Sequence, residues 1–380
     1  MTTPTVGNDI KVWVTPEATF DTSLAIAATD AIGVLDCEIK PFLEYHPSKE
    51  HVGTASLQTE IQGKRGGTWK ITCYVKSKGS GTQPNSGELF KAGMGSESGS
   101  NYSFAAVAPT SIQIAKYSGS GLYQQANGCW VEKIEAEYKG NEECMLTFSG
   151  GFASYGWCYD GVLTTAAGFA GGATSIALTS GQGPRIGGAL RIKFATEDNS
   201  GSGYLISTPA ADTLTISPGL ANALSAATKA VAPVLPSFTL GTEQIAGGIA
   251  CGLSIGGTSI GAISAKVSID TGIHGLAKEA TSNRPNRLSR GERKIELSME
   301  CYYLEENNNA IGSAWRGTTQ AIVLRFGEDT TGYRMVVTAP AARINVTSPD
   351  EAEHEEATVS MTAVPRQSSA AEDELTINFT

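Results

Sequence analysis

Histidine is scarce in this sequence, with only four in 380 residues: His46, His51, His274 and His354. None belongs to an HExxH pair, a His/Cys cluster or an EF-hand loop, so the usual catalytic metal ligands are missing. A phosphate loop is missing too, because the Gly-rich stretch 181–188 has neither the spacing nor the Lys. Gly252-Leu253-Ser254-Ile255-Gly256 matches a nucleophile elbow, but Gly257-Thr258-Ser259-Ile260-Gly261 follows it and cannot form the helix an elbow needs. Ser254 therefore reads as part of a Gly-rich packing strand, and neither an enzyme nor a cofactor is expected.

Charge is also sparse, at 17% of residues, and the net charge of −10 leaves too few cations to clamp a phosphate backbone. No stretch approaches the ~18 consecutive apolar residues of a membrane span, and the N-terminus is neither basic nor apolar. The expectation is a chain with no signal peptide and no membrane partner. The seven cysteines are odd in number, lack CxxC spacing and lie mostly in β-like apolar runs, which reads as reduced packing residues made in a cytoplasm.

What the sequence does have is alternation of period two. Trp69, Ile71, Cys73 and Val75 fall on one face and Lys70, Thr72, Tyr74 and Lys76 on the other. Ile295, Leu297, Met299 and Cys301 repeat the pattern, as do Leu146 with Phe148, Val359 with Met361, and the terminal Leu375, Ile377 and Phe379. Helix signals are confined to 86–94 and 309–315, each opened by Ser or Asn.

The two ends of the chain read alike. Each has a polar loop (46–67; 273–293), a strand (68–76; 294–303), a short helix and further strands. Tyr123 precedes Lys133-Ile134 by ten residues and Tyr333 precedes Arg343-Ile344 by ten. An acidic turn and an alternating strand then close each half, so a degenerate tandem duplication is inferred. Between the halves, 161–237 is rich in Gly, Ala, Ser and Thr, with short strands expected at 175–179, 190–194, 204–207 and 213–217. A small β domain or a disordered linker fits that composition, and the repeated apolar alternation favours the domain. The domains are therefore 1–160, 161–237 and 238–380.

Asn127-Gly128-Cys129-Trp130-Val131-Glu132-Lys133-Ile134, then Lys139-Gly140-Asn141-Glu142-Glu143 and Leu146-Thr147-Phe148-Ser149-Gly150-Gly151, resembles the major tail tube proteins of long, non-contractile-tailed bacteriophages. The C-terminal half, with Arg290-Gly291-Glu292-Arg293-Lys294 and the closing Asp373-Glu374-Leu375-Thr376-Ile377-Asn378-Phe379, is similar in the same way. The resemblance covers most of 1–160 and 238–380 and omits the insertion. It implies two tandem tail-tube-type β-sandwich domains, each with a short flanking helix, plus the small inserted β domain. It also implies a virion structural protein that stacks in rings, is made in the host bacterial cytoplasm and is located in the tail. The implied partners are other copies of the chain, tail terminator and tail tip proteins, and, in the lumen, the tape measure protein and duplex DNA without specific binding.

At four barrel strands per domain, a 12-strand ring has a backbone diameter of roughly 24 Å, too narrow for a duplex, and 24 strands give roughly 48 Å. Two domains per chain make the ring a trimer with pseudo-sixfold symmetry; one makes it a hexamer. The competing readings are a tube of a contractile injection machine and a β-domain surface adhesin.

Two sets of side chains follow. Lumen candidates are Lys70, Thr72, Lys76, Lys133, Glu135 and Glu137 in one half and Glu296, Ser298, Glu300, Arg343 and Asn345 in the other. Ring-stacking candidates are the loop cations Lys64, Arg65, Arg284, Arg287, Arg290 and Arg293, set against Glu142, Glu143, Glu353, Glu355 and Glu356.

Overall fold

The computed structural model describes residues 10–47, 60–119, 121–194, 202–207, 210–225, 229–276, 282–304, 308–328, 334–347, 356–368 and 372–380. Over these the chain is mainly β, arranged in several sheets with two α-helices.

The N-terminal unit contains β1 (Ile10–Glu17), β2 (Ala31–Ile32), β3 (Asp36–Pro47), β4 (Glu60–Tyr74) and β5 (Lys76–Ser77). Helix α1 (Gly87–Met94) follows, then β6 (Gly95–Ser98), β7 (Asn101–Phe104), β8 (Ser111–Ser118), β9 (Leu122–Cys129), β10 (Lys133–Lys139), β11 (Met145–Phe152) and β12 (Ser154–Tyr159). The middle segment holds β13 (Leu163–Thr164), β14 (Ser175–Ala177), β15 (Ile186–Gly187), β16 (Arg191–Phe194), β17 (Tyr204–Ile206), β18 (Thr213–Ser217) and β19 (Ala230–Pro233). The C-terminal unit starts with β20 (Gln244–Ile245), β21 (Gly252–Ile255), β22 (Thr258–Ile260), β23 (Ala262–Asp270), β24 (Ile273–Leu276), β25 (Arg287–Arg290) and β26 (Lys294–Tyr302). It ends with α2 (Asn308–Trp315), β27 (Gln320–Gly327), β28 (Arg334–Val346), β29 (Thr358–Pro365) and β30 (Thr376–Phe379).

Strand pairing gives the two ends of the chain like strand orders. One sheet of the first unit has the order β12-β9-β8-β1-β2, and the second unit contains β30-β28-β27-β21-β22 in the matching order. The other set runs β3-β4-β11-β10 in the first unit and β23-β26-β29-β28 in the second. Strand β28 does alone what β9 and β10 do as a pair: its first part pairs with β27 and β30, and its last part with β29. In the first unit the chain breaks at Trp130-Val131-Glu132 between those two duties. Ile134 lies opposite Phe148 as Ile344 lies opposite Ala363, which places the Lys133-Ile134 and Arg343-Ile344 pairs at equivalent points.

Both units share one continuous core. Helix α1 packs its Phe90 ring edge-on against Phe148 at 5.0 Å and against Phe379 of the other unit at 5.5 Å. Tyr138 meets Phe326 at 5.4 Å across the same boundary. Burying rings of this size contributes most of the packing energy available here. The helix ends at Gly95, whose φ of 99° gives the left-handed cap that a side-chain-bearing residue would resist.

The middle segment forms a six-stranded sheet and joins the first unit through β15, whose Gly187 pairs with Trp157 of β12. Its core also takes in Trp13, Ala115, Tyr123 and Cys158 of the first unit. The strands expected at 175–179, 190–194, 204–207 and 213–217 are all present, the first three slightly shortened at one end. Removing the segment would uncover large apolar side chains of the first unit, Trp13 and Tyr123 among them.

Two expectations need correction. The described parts of the segments 46–67 and 273–293, read as polar loops, include hairpin arms: β3 pairs with β4 out to Pro47 and Glu60, and β24 pairs with β25. Glycines hid the alternation. A Cβ on Gly67 would lie 2.0 Å from the Phe152 ring, and one on Gly275 would lie 2.7 Å from the Trp130 ring, so these strand positions must be empty for an aromatic to lie over them.

Candidate assembly surface

The two four-stranded sets meet edge to edge. Strand β10 pairs with β23 antiparallel over seven residue pairs, from Lys133 opposite Asp270 to Lys139 opposite Ser264. The result is one eight-stranded run, β3-β4-β11-β10-β23-β26-β29-β28. Its inner face carries Ile71, Leu146, Ile134, Val267, Leu297 and Met361, all buried. By the alternation of the pleat, the opposite face carries the polar set.

On that face the registers line up rows of side chains. One row runs Asp36, Thr72, Thr147, Glu135, Ser268, Glu296. Another runs Tyr74, Met145, Glu137, Lys266, Ser298, Thr362, Asn345. Lys70, Lys133, Glu300 and Arg343 occupy the same face by parity. Ten of the eleven lumen candidates are therefore brought together on one surface. Lys76 is the exception: it lies beyond the run, in β5, opposite Ile245 of β20.

The sequence reading passed over Glu38, Lys40, Lys139, Lys266, Asp270 and Lys294, which share this face. Alternation around Ala265, Val267 and Ile269 was the signal that could have found those on β23.

The charges on the face balance. Among the described residues it bears the cations Lys40, Lys70, Lys133, Lys139, Lys266, Lys294 and Arg343 and the carboxylates Asp36, Glu38, Glu135, Glu137, Asp270, Glu296 and Glu300, seven of each. Several are tied to one another. Glu135 accepts from Lys133 at 2.9 Å and from Lys266 at 2.8 Å, the second contact bridging the β10·β23 join. Partial burial would raise the Glu135 carboxyl, but the two lysine hydrogen bonds outweigh it and hold it below the usual carboxylate range. Lys139 pairs with Glu137 at 2.9 Å and Lys40 with Glu38 at 2.7 Å. The chain's net −10 thus resides elsewhere, and this face neither grips nor repels a polyanion.

The stacking candidates divide. Lys64 and Arg65 are exposed on the β3–β4 hairpin, and the Arg65 amide donates to the Asn283 carbonyl at 2.6 Å, which holds the two hairpins side by side. Arg287 is exposed, and Arg284 reaches Asp21 at 3.6 Å. Arg290 and Arg293, however, are engaged within the chain. Arg290 donates to the Ala105 carbonyl at 2.6 Å. Arg293 bonds Glu372 at 3.2 Å and Glu374 at 3.0 Å, and its guanidinium lies 4.4 Å from the Phe104 ring centroid. Glu142 and Glu143 are exposed at the end of β10 remote from the hairpins, and Glu356 is exposed before β29. Glu353 and Glu355 lie outside the described residues. Apolar side chains mark both ends as well: Phe42 (47% exposed), Leu43 and Tyr45 on the hairpin, and Ile249 (80% exposed) beside the Glu143 turn.

No family model matches the chain, and no curated protein matches its sequence. Among the described residues no cluster of three or more His, Cys, Asp or Glu side chains could hold a metal ion, and no helix is long and apolar enough to cross a membrane.

Proposed function

We propose that the protein is a structural ring subunit whose copies stack into a tube, in the manner of the tail tube proteins its sequence resembles. The β10·β23 join carries this reading. It links two units of like strand order edge to edge, and the run it creates ends in the same two kinds of edge. Strand β3 is the last strand at one end, and 343–346 of β28 pair with β29 alone at the other. An unpaired edge of this kind is a ready template for pairing with another chain. Repeating the join between copies lets 343–346 of one chain meet β3 of the next, and equivalence with Ile134 opposite Ile269 sets Ile344 opposite Ile39.

Eight strands per chain make three copies a ring of 24, with a backbone diameter of roughly 48 Å at the usual spacing and a tilt of ~40°. Curved with its core outward, the run turns the balanced polar face toward a lumen wide enough for duplex DNA and the tape measure protein. The exposed hairpins and the Glu142-Glu143 end would meet between successive rings, with tail terminator and tail tip proteins at the tube's ends.

Negative-stain microscopy of the purified protein, with its mass measured by light scattering, tests this. Trimeric rings or tubes with an open centre are the expected outcome; a monomer at every concentration would overturn the reading.

A further inference from the structure

We propose that Cys144 and Cys251 form an oxidant-responsive thiol pair that closes to a disulfide and fastens the two repeat units together. Cys144 directly precedes β11 in the first unit and Cys251 directly precedes β21 in the second, and their sulfurs lie 3.2 Å apart. A bond requires an approach of only about 1 Å.

The backbone around them is pinned by one network. The Cys144 amide donates to Ala246 O at 3.0 Å, Gly248 N donates to Glu142 O at 2.8 Å, and the Cys251 amide donates to Gly248 O at 3.0 Å. The thiols are therefore held facing each other by main chain, not by mobile loops.

Their surroundings assign the roles. Cys251 is partly exposed, its sulfur accepts from the Gly327 amide at 3.3 Å, and the Arg325 guanidinium lies over the adjoining Gly252. A backbone donor and a neighbouring cation are what favour a thiolate. The hydrogen bond with Cys144, first, pulls the Cys251 thiol below its ordinary value; burial opposes this, and the Gly327 amide and Arg325 add to the lowering. Cys144 is fully buried behind it. The other five cysteines are buried away from any such pair, and burial pushes Cys37, Cys73, Cys158 and Cys301 up to about 12.

With oxidised glutathione as oxidant, the Cys251 thiolate attacks one sulfur of the glutathione disulfide and expels one glutathione thiolate. Cys144 then attacks the Cys251 sulfur of the mixed disulfide, its proton passing to the departing glutathione thiolate, which leaves as the second glutathione thiol. Two protein thiols are oxidised to one disulfide, and one glutathione disulfide is reduced to two thiols.

The closed loop spans 107 positions and contains the whole inserted segment, so the cross-link removes freedom from a large part of the unfolded chain. This inference does not depend on the tube reading; on that reading, the bond would close once the particle leaves the reducing cell.

The test is to treat the full chain with oxidised glutathione, count free thiols and map peptides without reduction. The expected result is loss of two of the seven thiols, a mass lower by two hydrogens, a joined 144/251 peptide pair and a thermal midpoint several degrees higher. Cys144→Ser should instead hold a stable glutathione adduct at Cys251, and Cys251→Ser should not react. A persistent Cys251 adduct in the unmutated chain, or retention of all seven thiols, would overturn the proposal.

Discussion

The two repeat units keep the same strand order but spend their residues differently. At one equivalent position in the eight-stranded run the first unit places Phe148 and the second Ala363. The first unit also carries the β6–β7 hairpin, the break between β9 and β10 and the inserted domain, while the second compresses two strands into β28. The strand order of both sets is what stays constant. The side chains and the connections vary, as connecting segments on a surface do.

The largest effect expected from breaking this equivalence concerns the open edges. Glu38→Cys and Asn345→Cys, combined in one chain, should cross-link between copies in rings under mild oxidation, because Glu135 and Ser268 face each other at the internal join. Rings that form without the 38/345 link, by gel and peptide mapping, would show that copies use a different register.

Next in size is the core asymmetry. Phe148→Ala should lower stability by about 3–5 kcal/mol, measured as a shift in denaturant midpoint, because Phe148 is fully buried against Phe90. Ala363→Gly at the equivalent point should cost only about 1 kcal/mol, by loss of a methyl and gain of backbone freedom.

A third contrast is pH dependence. Glu17 on β1 is buried, and desolvation raises its carboxyl from 4.5 to about 7, although Ser111 and the Gly128 and Asp21 amides donate to it. The matching strand of the second unit, β21, has no carboxylate. A folded pKa above the unfolded one favours the protonated native state. This contribution is therefore fully present below pH 4.5 and lost as pH climbs through about 7, by about 3 kcal/mol in all. Glu17→Gln should flatten the stability profile across that window, as seen by thermal melts at a series of pH values.

The smallest effect belongs to the bridge across the join. Lys266→Ala removes one contact to a partly exposed carboxylate that keeps Lys133, so its cost should be under about 1 kcal/mol in chemical denaturation. A much larger loss would mean that the join depends on charge more than on its backbone ladder and the Tyr138–Phe326 contact.

Much of this architecture could be read from sequence, because strands with one buried face announce themselves by alternation. Lys70, Thr72, Glu135 and Glu296 were grouped from that signal alone, and both helices fell within a residue or so of their expected bounds. The hairpin arms escaped, since Gly63, Gly66, Gly67 and Gly275 erase the apolar beat where rings or backbone press close. The fate of Arg293 escaped for another reason: its carboxylate partners are 79 and 81 residues away, a distance no local pattern spans. The packing of the inserted domain was equally hidden, because Trp13 and Tyr123 look like ordinary strand residues until the segment that covers them is in place.

The inserted segment lies between the two repeats and packs on the first of them only, and that has a consequence for symmetry. A tube lined by six nearly identical four-stranded sets would present sixfold walls to whatever passes inside, while its outside would show only three protrusions per ring, one after every second set. In such a tube, anything that reads the exterior would find three footholds per ring, and whatever lies within would meet no such markers.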